Sequence, residues 1–64
     1  MEQNKPKCQL VGTDGNIFAL MGKASRALKE NGMKKEAEKM TNGVFDASSY
    51  EEALSIICKY VDAE

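Results

Sequence analysis

A chain of 64 residues with a net charge of -1 and 42% hydrophobic residues is one domain at most, because a fold of this size buries only about 60% of the surface its unfolded chain exposes. Leu, Ile, Val and Phe number 12 of 64, a low share, yet the near-neutral charge lacks the repulsion that normally accompanies disorder, so a folded chain of modest stability is expected. Histidine is absent and only two cysteines are present, which excludes a Cys/His zinc site and leaves general-base chemistry to a carboxylate, cysteine or lysine with a strongly shifted pKa.

Met1 to Lys7 is polar, holds the single proline and has no periodicity, so it reads as a loose arm to a single domain spanning residues 1–64. Cys8 to Val11 can form a short strand, which must pair with the C-terminal tail, pair with a second copy, or lie extended on the helices; packing on the helices is favoured. The GTDGN segment that follows is a turn, with Gly12 and Gly15 able to take positive φ around Asp14.

The first helix is predicted from about Ile17 to Asn31, with Asn16 or Asp14 capping its first amides and Gly32 ending it in the left-handed conformation. Ile17, Leu20, Met21, Ala24, Ala27 and Leu28 fall on an arc of roughly 120° at helical period, the width of a core-facing stripe. Phe18 lies off that stripe. Gly22, one turn later on the same side, removes the side chain that would keep another backbone away, so this second face is expected to receive either the Cys8 to Val11 segment or another protein chain.

A second helix is predicted from about Met33 to Asn42, a short brace with Met33, Ala37, Met40 and Val44 in line and Gly43 as its stop. Ser49 with Glu52 has capping-box spacing for a third helix, as do Ser48 and Glu51 one residue earlier. Tyr50, Ala53, Leu54, Ile56, Ile57, Cys58, Tyr60 and Val61 then cover roughly 200° of that helix, which makes it the expected hub of the fold. Any surplus apolar surface near Ile56 and Tyr60 is available to the N-terminal segment or to a partner. The fold class is therefore mainly α, a compact three-helix domain preceded by a short extended or β segment.

Cys8 and Cys58 match no compact disulfide framework, so reduced thiols are expected, and Cys58, inside a helical apolar pattern, reads as a small buried hydrophobe. No apolar run approaches the roughly 20 residues that span a bilayer, and the opening MEQNKPKCQLV is too polar for a secretory signal, which points to a cytoplasmic protein with no membrane contact. The TDGN run lacks the alternating oxygens of a calcium loop, and no GK[ST] ending completes a phosphate loop. No cofactor, metal or catalytic residue is assigned, and the chain is read as not an enzyme.

Charge is unevenly distributed. Residues 1–40 carry eight Lys/Arg and five Asp/Glu, a balance of +3, whereas residues 41–64 carry one Lys and five acids, a balance of -4. Lys23, Arg26, Lys29, Lys34, Lys35 and Lys39 can form a basic face over the first two helices, the footprint a nucleic-acid-binding regulator would use. Glu30, Glu36 and Glu38 are interleaved with these cations at salt-bridge spacing, which favours a solvated face instead.

The run LVGTDGNIFALMGKASRALKENG, followed by a second short helix and an SYEEAL third helix, resembles small proteins encoded by phages and mobile elements of Gram-positive bacteria. That resemblance covers nearly the whole chain and implies a bacterial intracellular setting, with no activity, ligand or site residue to carry over. SSYEEAL is also similar to the start of the second helix of a tetratricopeptide repeat, but such solenoids need about three stacked units and this chain has no internal repeat. The functional expectation is an accessory protein that binds another protein or itself as a homodimer, through Phe18 and Gly22 on the first helix and Ile56 and Tyr60 on the third.

Overall fold

A computed structural model describes residues 5–10 and 15–64. Val11, most of the GTDGN turn, the alternative cap Asp14 and residues 1–4 of the arm lie outside the described residues. The described chain is mainly helical: α1 spans Ile17–Glu30, α2 Lys34–Asp46 and α3 Tyr50–Tyr60. Two short strands, β1 (Lys7–Cys8) and β2 (Asp62–Ala63), form a parallel pair.

Local chemistry sets the helix ends. The Asn16 Oδ1 accepts a hydrogen bond from the Phe18 N–H at 2.8 Å, which satisfies one of the amides left open at the start of α1. At the other end Gly32 has φ +75°, the Met33 N–H donates to the Leu28 carbonyl at 2.8 Å, and the Gly32 N–H donates to the Lys29 carbonyl at 3.1 Å. This is a Schellman motif, and Met33 packs back on the core beside Leu28. For α3 the Ser49 Oγ accepts from the Glu52 N–H at 3.1 Å, while the Glu52 carboxylate reaches back to the Ser48 N–H at 3.0 Å, one residue beyond the usual capping box. Met33, which precedes α2, provides no side-chain cap.

The core takes a matched line from each helix: Leu20, Ala24 and Leu28 from α1, Ala37, Met40 and Val44 from α2, and Ala53 and Ile57 from α3 with Val61 just beyond it. Each line contains one alanine, whose small side chain lets the neighbouring helices approach closely. Leu28, Met40, Ile57 and Val61 are the largest fully buried side chains.

Four expectations change. First, α2 runs through Gly43 to Asp46 instead of stopping there. A Cβ at Gly43 would lie 3.2 Å from the Ile56 Cγ2, so this glycine admits α3 against α2 and has no role in ending the helix. Second, α3 is not a hub: α2 packs extensively on both of the other helices, which meet each other less. Leu54, Ile56 and Tyr60 are only half-buried and Tyr50 is 48% exposed, because the line Ala53, Ile57, Val61 is all that an 11-residue helix turns fully inward. Third, Cys58 is exposed, one residue off that line, and the buried cysteine is Cys8.

Fourth, the N-terminal segment pairs with the C-terminal tail as well as lying along α1. Lys7 is in register with Asp62 and Cys8 with Ala63. The Asp62 N–H donates to the Pro6 carbonyl, the Glu64 N–H to the Cys8 carbonyl and the Leu10 N–H to the Glu64 carbonyl, at 2.8 to 2.9 Å. Residues 5–7, read as part of a loose arm, are therefore anchored: Pro6 is buried, and the Lys5 Nζ donates to the Cys58 carbonyl at 3.0 Å.

Candidate functional site

Phe18 sits in the first turn of α1, fixed there by the Asn16 cap, and its position off the core stripe leaves it 58% exposed. The extra turn of α2 beyond Gly43 carries Phe45, itself 62% exposed. The two rings meet with centroids 6.0 Å apart and planes tilted by 46°, a favourable aromatic geometry held at the surface. The sequence points to Phe18 alone, since Phe45 lies beyond Gly43, where glycine signals the end of α2. Treating Gly43 as a close-approach residue would have extended α2 by a turn and revealed the pair.

Beside Phe18 a cleft of about 380 Å³ opens between α1 and β1, walled by Gly22, Lys23 and Arg26 on one side and Lys7 to Gln9 on the other. Apart from its chain neighbours and the backbone of α1 itself, nothing lies within 4 Å of the position a Gly22 Cβ would take. The close approach expected at Gly22 is thus not made by the chain's own N-terminal segment, although that segment runs alongside. The Lys23 Nζ donates to the Gln9 carbonyl at 3.3 Å and so ties α1 to the strand. Burial pushes the Cys8 thiol above the usual range, partly opposed by the positive charge of Lys23.

Ile56 and Tyr60 do not share this surface. Ile56 is tucked against Gly43, and Tyr60 lines a separate cleft with Lys5, Lys39 and Lys59. The basic residues singled out for nucleic acid are also divided. Arg26 pairs with Glu30 at 3.6 Å across one helical turn, Lys29 lies in the last turn of α1, and Lys34 and Lys35 open α2 beyond the Gly32 turn. The Arg26–Glu30 pair is mostly exposed, so it is worth about 0.3 to 0.5 kcal/mol and marks a solvated face.

Among the described residues no group of three or more His, Cys, Asp or Glu is placed to hold a metal ion, and no helix is long and apolar enough to cross a membrane. The arrangement at Phe18 and Phe45 is suited to contact: an exposed pair of tilted aromatic rings, a bare glycine beside it, and cations at its edge. Comparisons with protein-family models, curated proteins and solved structures return no match for this chain.

Proposed function

We propose that this protein acts by binding another protein chain, without catalysis, through the Phe18–Phe45 surface and the Gly22 cleft beside it, and that a second copy of the same chain is its first partner. The observation that carries the reading is the exposed aromatic pair. Full burial of a phenylalanine side chain is worth about 1.5 to 3 kcal/mol, and a 64-residue domain with little stability in reserve leaves two of them more than half in water. A partner that covers both rings recovers that free energy.

Charge supports a second copy as the occupant. Lys23 and Arg26 lie on the α1 side of the surface, and Asp46, exposed, follows Phe45 on the α2 side. A twofold axis passing between these two edges would bring Lys23 and Arg26 of one copy to Asp46 of the other, the self-complementarity of an isologous interface. On this reading the chain is a small cytoplasmic accessory protein of the kind its phage and mobile-element resemblance implies.

Sedimentation equilibrium over a wide concentration range tests the proposal. Reversible dimers are expected, weakened by about 1 to 3 kcal/mol in Phe18→Ala, the range of an interface hot spot. A strict monomer at every concentration would exclude self-association, and dimers unaffected by Phe18→Ala would move the interface elsewhere.

A further inference from the structure

A cleft of about 680 Å³ opens where the N-terminal segment, the turn after α1 and the last turn of α3 come together. Lys5, Lys39 and Lys59 line it with Glu36 as the one carboxylate, and Met33 and Tyr60 supply an apolar wall. These lysines come from three separate segments, so no local sequence pattern assembles them. Three cations against one carboxylate give a local charge of +2 in a molecule whose net charge is -1.

Helix-end electrostatics accounts for two of the three. Lys59 stands in the last turn of α3 and the Lys5 Nζ donates to the Cys58 carbonyl, both at the end of a helix where its dipole favours a cation. Lys39 is outside that account. It lies in the second turn of α2, beyond the first turn to which the helix dipole reaches, and neither Lys39 nor Lys59 has an ion pair among the described residues. Cations drawn from three separate segments to one concave surface, with a single carboxylate among them, leave a positive charge that an anionic ligand neutralises.

We propose that this cleft binds a small phosphate monoester, with the phosphate held by Lys5, Lys39 and Lys59 and the organic part resting on Tyr60 and Met33. A phosphate monoester carries about -1.5 to -2 at neutral pH, which matches the charge of the wall. The volume falls in the range of about 300 to 1,000 Å³ typical of small-molecule sites, whereas a nucleic-acid strand is tracked by a stripe of cations along a face. The site shares no lining residue with the cleft beside Phe18, so it stands independently of the protein-binding surface.

Amide-resolved NMR of the full chain, titrated with phenyl phosphate, tests the proposal. Shifts are expected at Asn31, Met33, Lys39, Lys59 and Tyr60, with a Kd of about 1 mM, ordinary for a ligand of this size. Binding should tighten as pH rises through about 6, where the phosphate loses its second proton, and phenyl sulfate, which keeps a single charge, should bind several-fold more weakly. Lys39→Gln and Lys59→Gln, both at exposed positions, should each weaken binding about tenfold while leaving the rest of the spectrum in place. Shifts spread equally over Lys23, Lys29, Lys34 and Lys35, a Kd unchanged in both variants, or no shift at about 10 mM ligand would overturn the site. Stronger shifts of the same five residues with duplex DNA would replace the small ligand with nucleic acid.

Discussion

Gly22, Gly32 and Gly43 stand in three different surroundings, and each dictates its own response to alanine. At Gly22 a new methyl group meets nothing within 4 Å in a helix interior, so Gly22→Ala should stabilise the monomer by up to about 1 kcal/mol. At Gly32 the positive φ that closes the Schellman motif makes Gly32→Ala cost about 1 to 2 kcal/mol. At Gly43 the same helical gain as at Gly22 is opposed by the Ile56 Cγ2 at 3.2 Å, on a β-branched side chain with little freedom to move, so Gly43→Ala should fall at least about 1 kcal/mol short of Gly22→Ala. Urea midpoints at a common slope give this order directly. On the proposed function, Gly22→Ala should also weaken association while it raises stability, since the new methyl group enters the cleft assigned to a partner. Cys8 gives the fold a dependence on pH. Its raised pKa means the fold prefers the neutral thiol, so the contribution is whole below about pH 8.5, the unfolded value, and is lost as pH rises towards the folded one. Wild type should lose stability above about pH 8.5 more steeply than Cys8→Ala does, and identical profiles would show that the thiol contributes nothing.

Each helix is legible in the sequence to the extent that its own residues determine it. The α1 stripe, its Asn16 cap and its Gly32 exit are all local, and each appears where the spacing predicts it. The inward line of α2 and the Ser49 start of α3 are local too. What escaped is non-local: Gly43 looks like a stop until Ile56 is beside it, and the N-terminal strand has no partner until Asp62 and Ala63 arrive from the far end of the chain. Cys58 and Tyr60 join the apolar arc of α3 by composition, but helical phase leaves them off the line that faces the core. Ser49→Ala removes the hydroxyl that caps α3 and should cost about 1 kcal/mol in urea unfolding. Removing residues 62–64 takes away the strand that pairs with Cys8, so the Cys8 thiol should become open to alkylation. In the intact chain Cys58 should be alkylated quickly and Cys8 only through unfolding, and equal rates would contradict the parallel pairing.

For the molecule as a whole, three short lines of buried side chains leave little stability in reserve. Ile57→Ala removes a fully buried side chain at a cost of about 2 to 5 kcal/mol and should leave much of the population unfolded at 25 °C. Against that thin core, the molecule holds two rings at its surface and concentrates its cations in residues 1–40, leaving residues 41–64 with a net balance of -4. The placement of the first is what the candidate site adds to the sequence reading: Phe18 was legible as an off-stripe residue, whereas its partner required the extra turn of α2, and Ile56 and Tyr60 proved to belong to other surroundings. On the proposed function, Phe18 and Phe45 serve contact with another chain and do little to hold this one together. Urea unfolding of the double variant Phe18→Ser/Phe45→Ser, at a concentration where wild type is monomeric, tests it most directly. A loss below about 1 kcal/mol is expected, the range of surface substitutions, whereas a loss of about 3 kcal/mol or more would place the pair within the core and contradict the account.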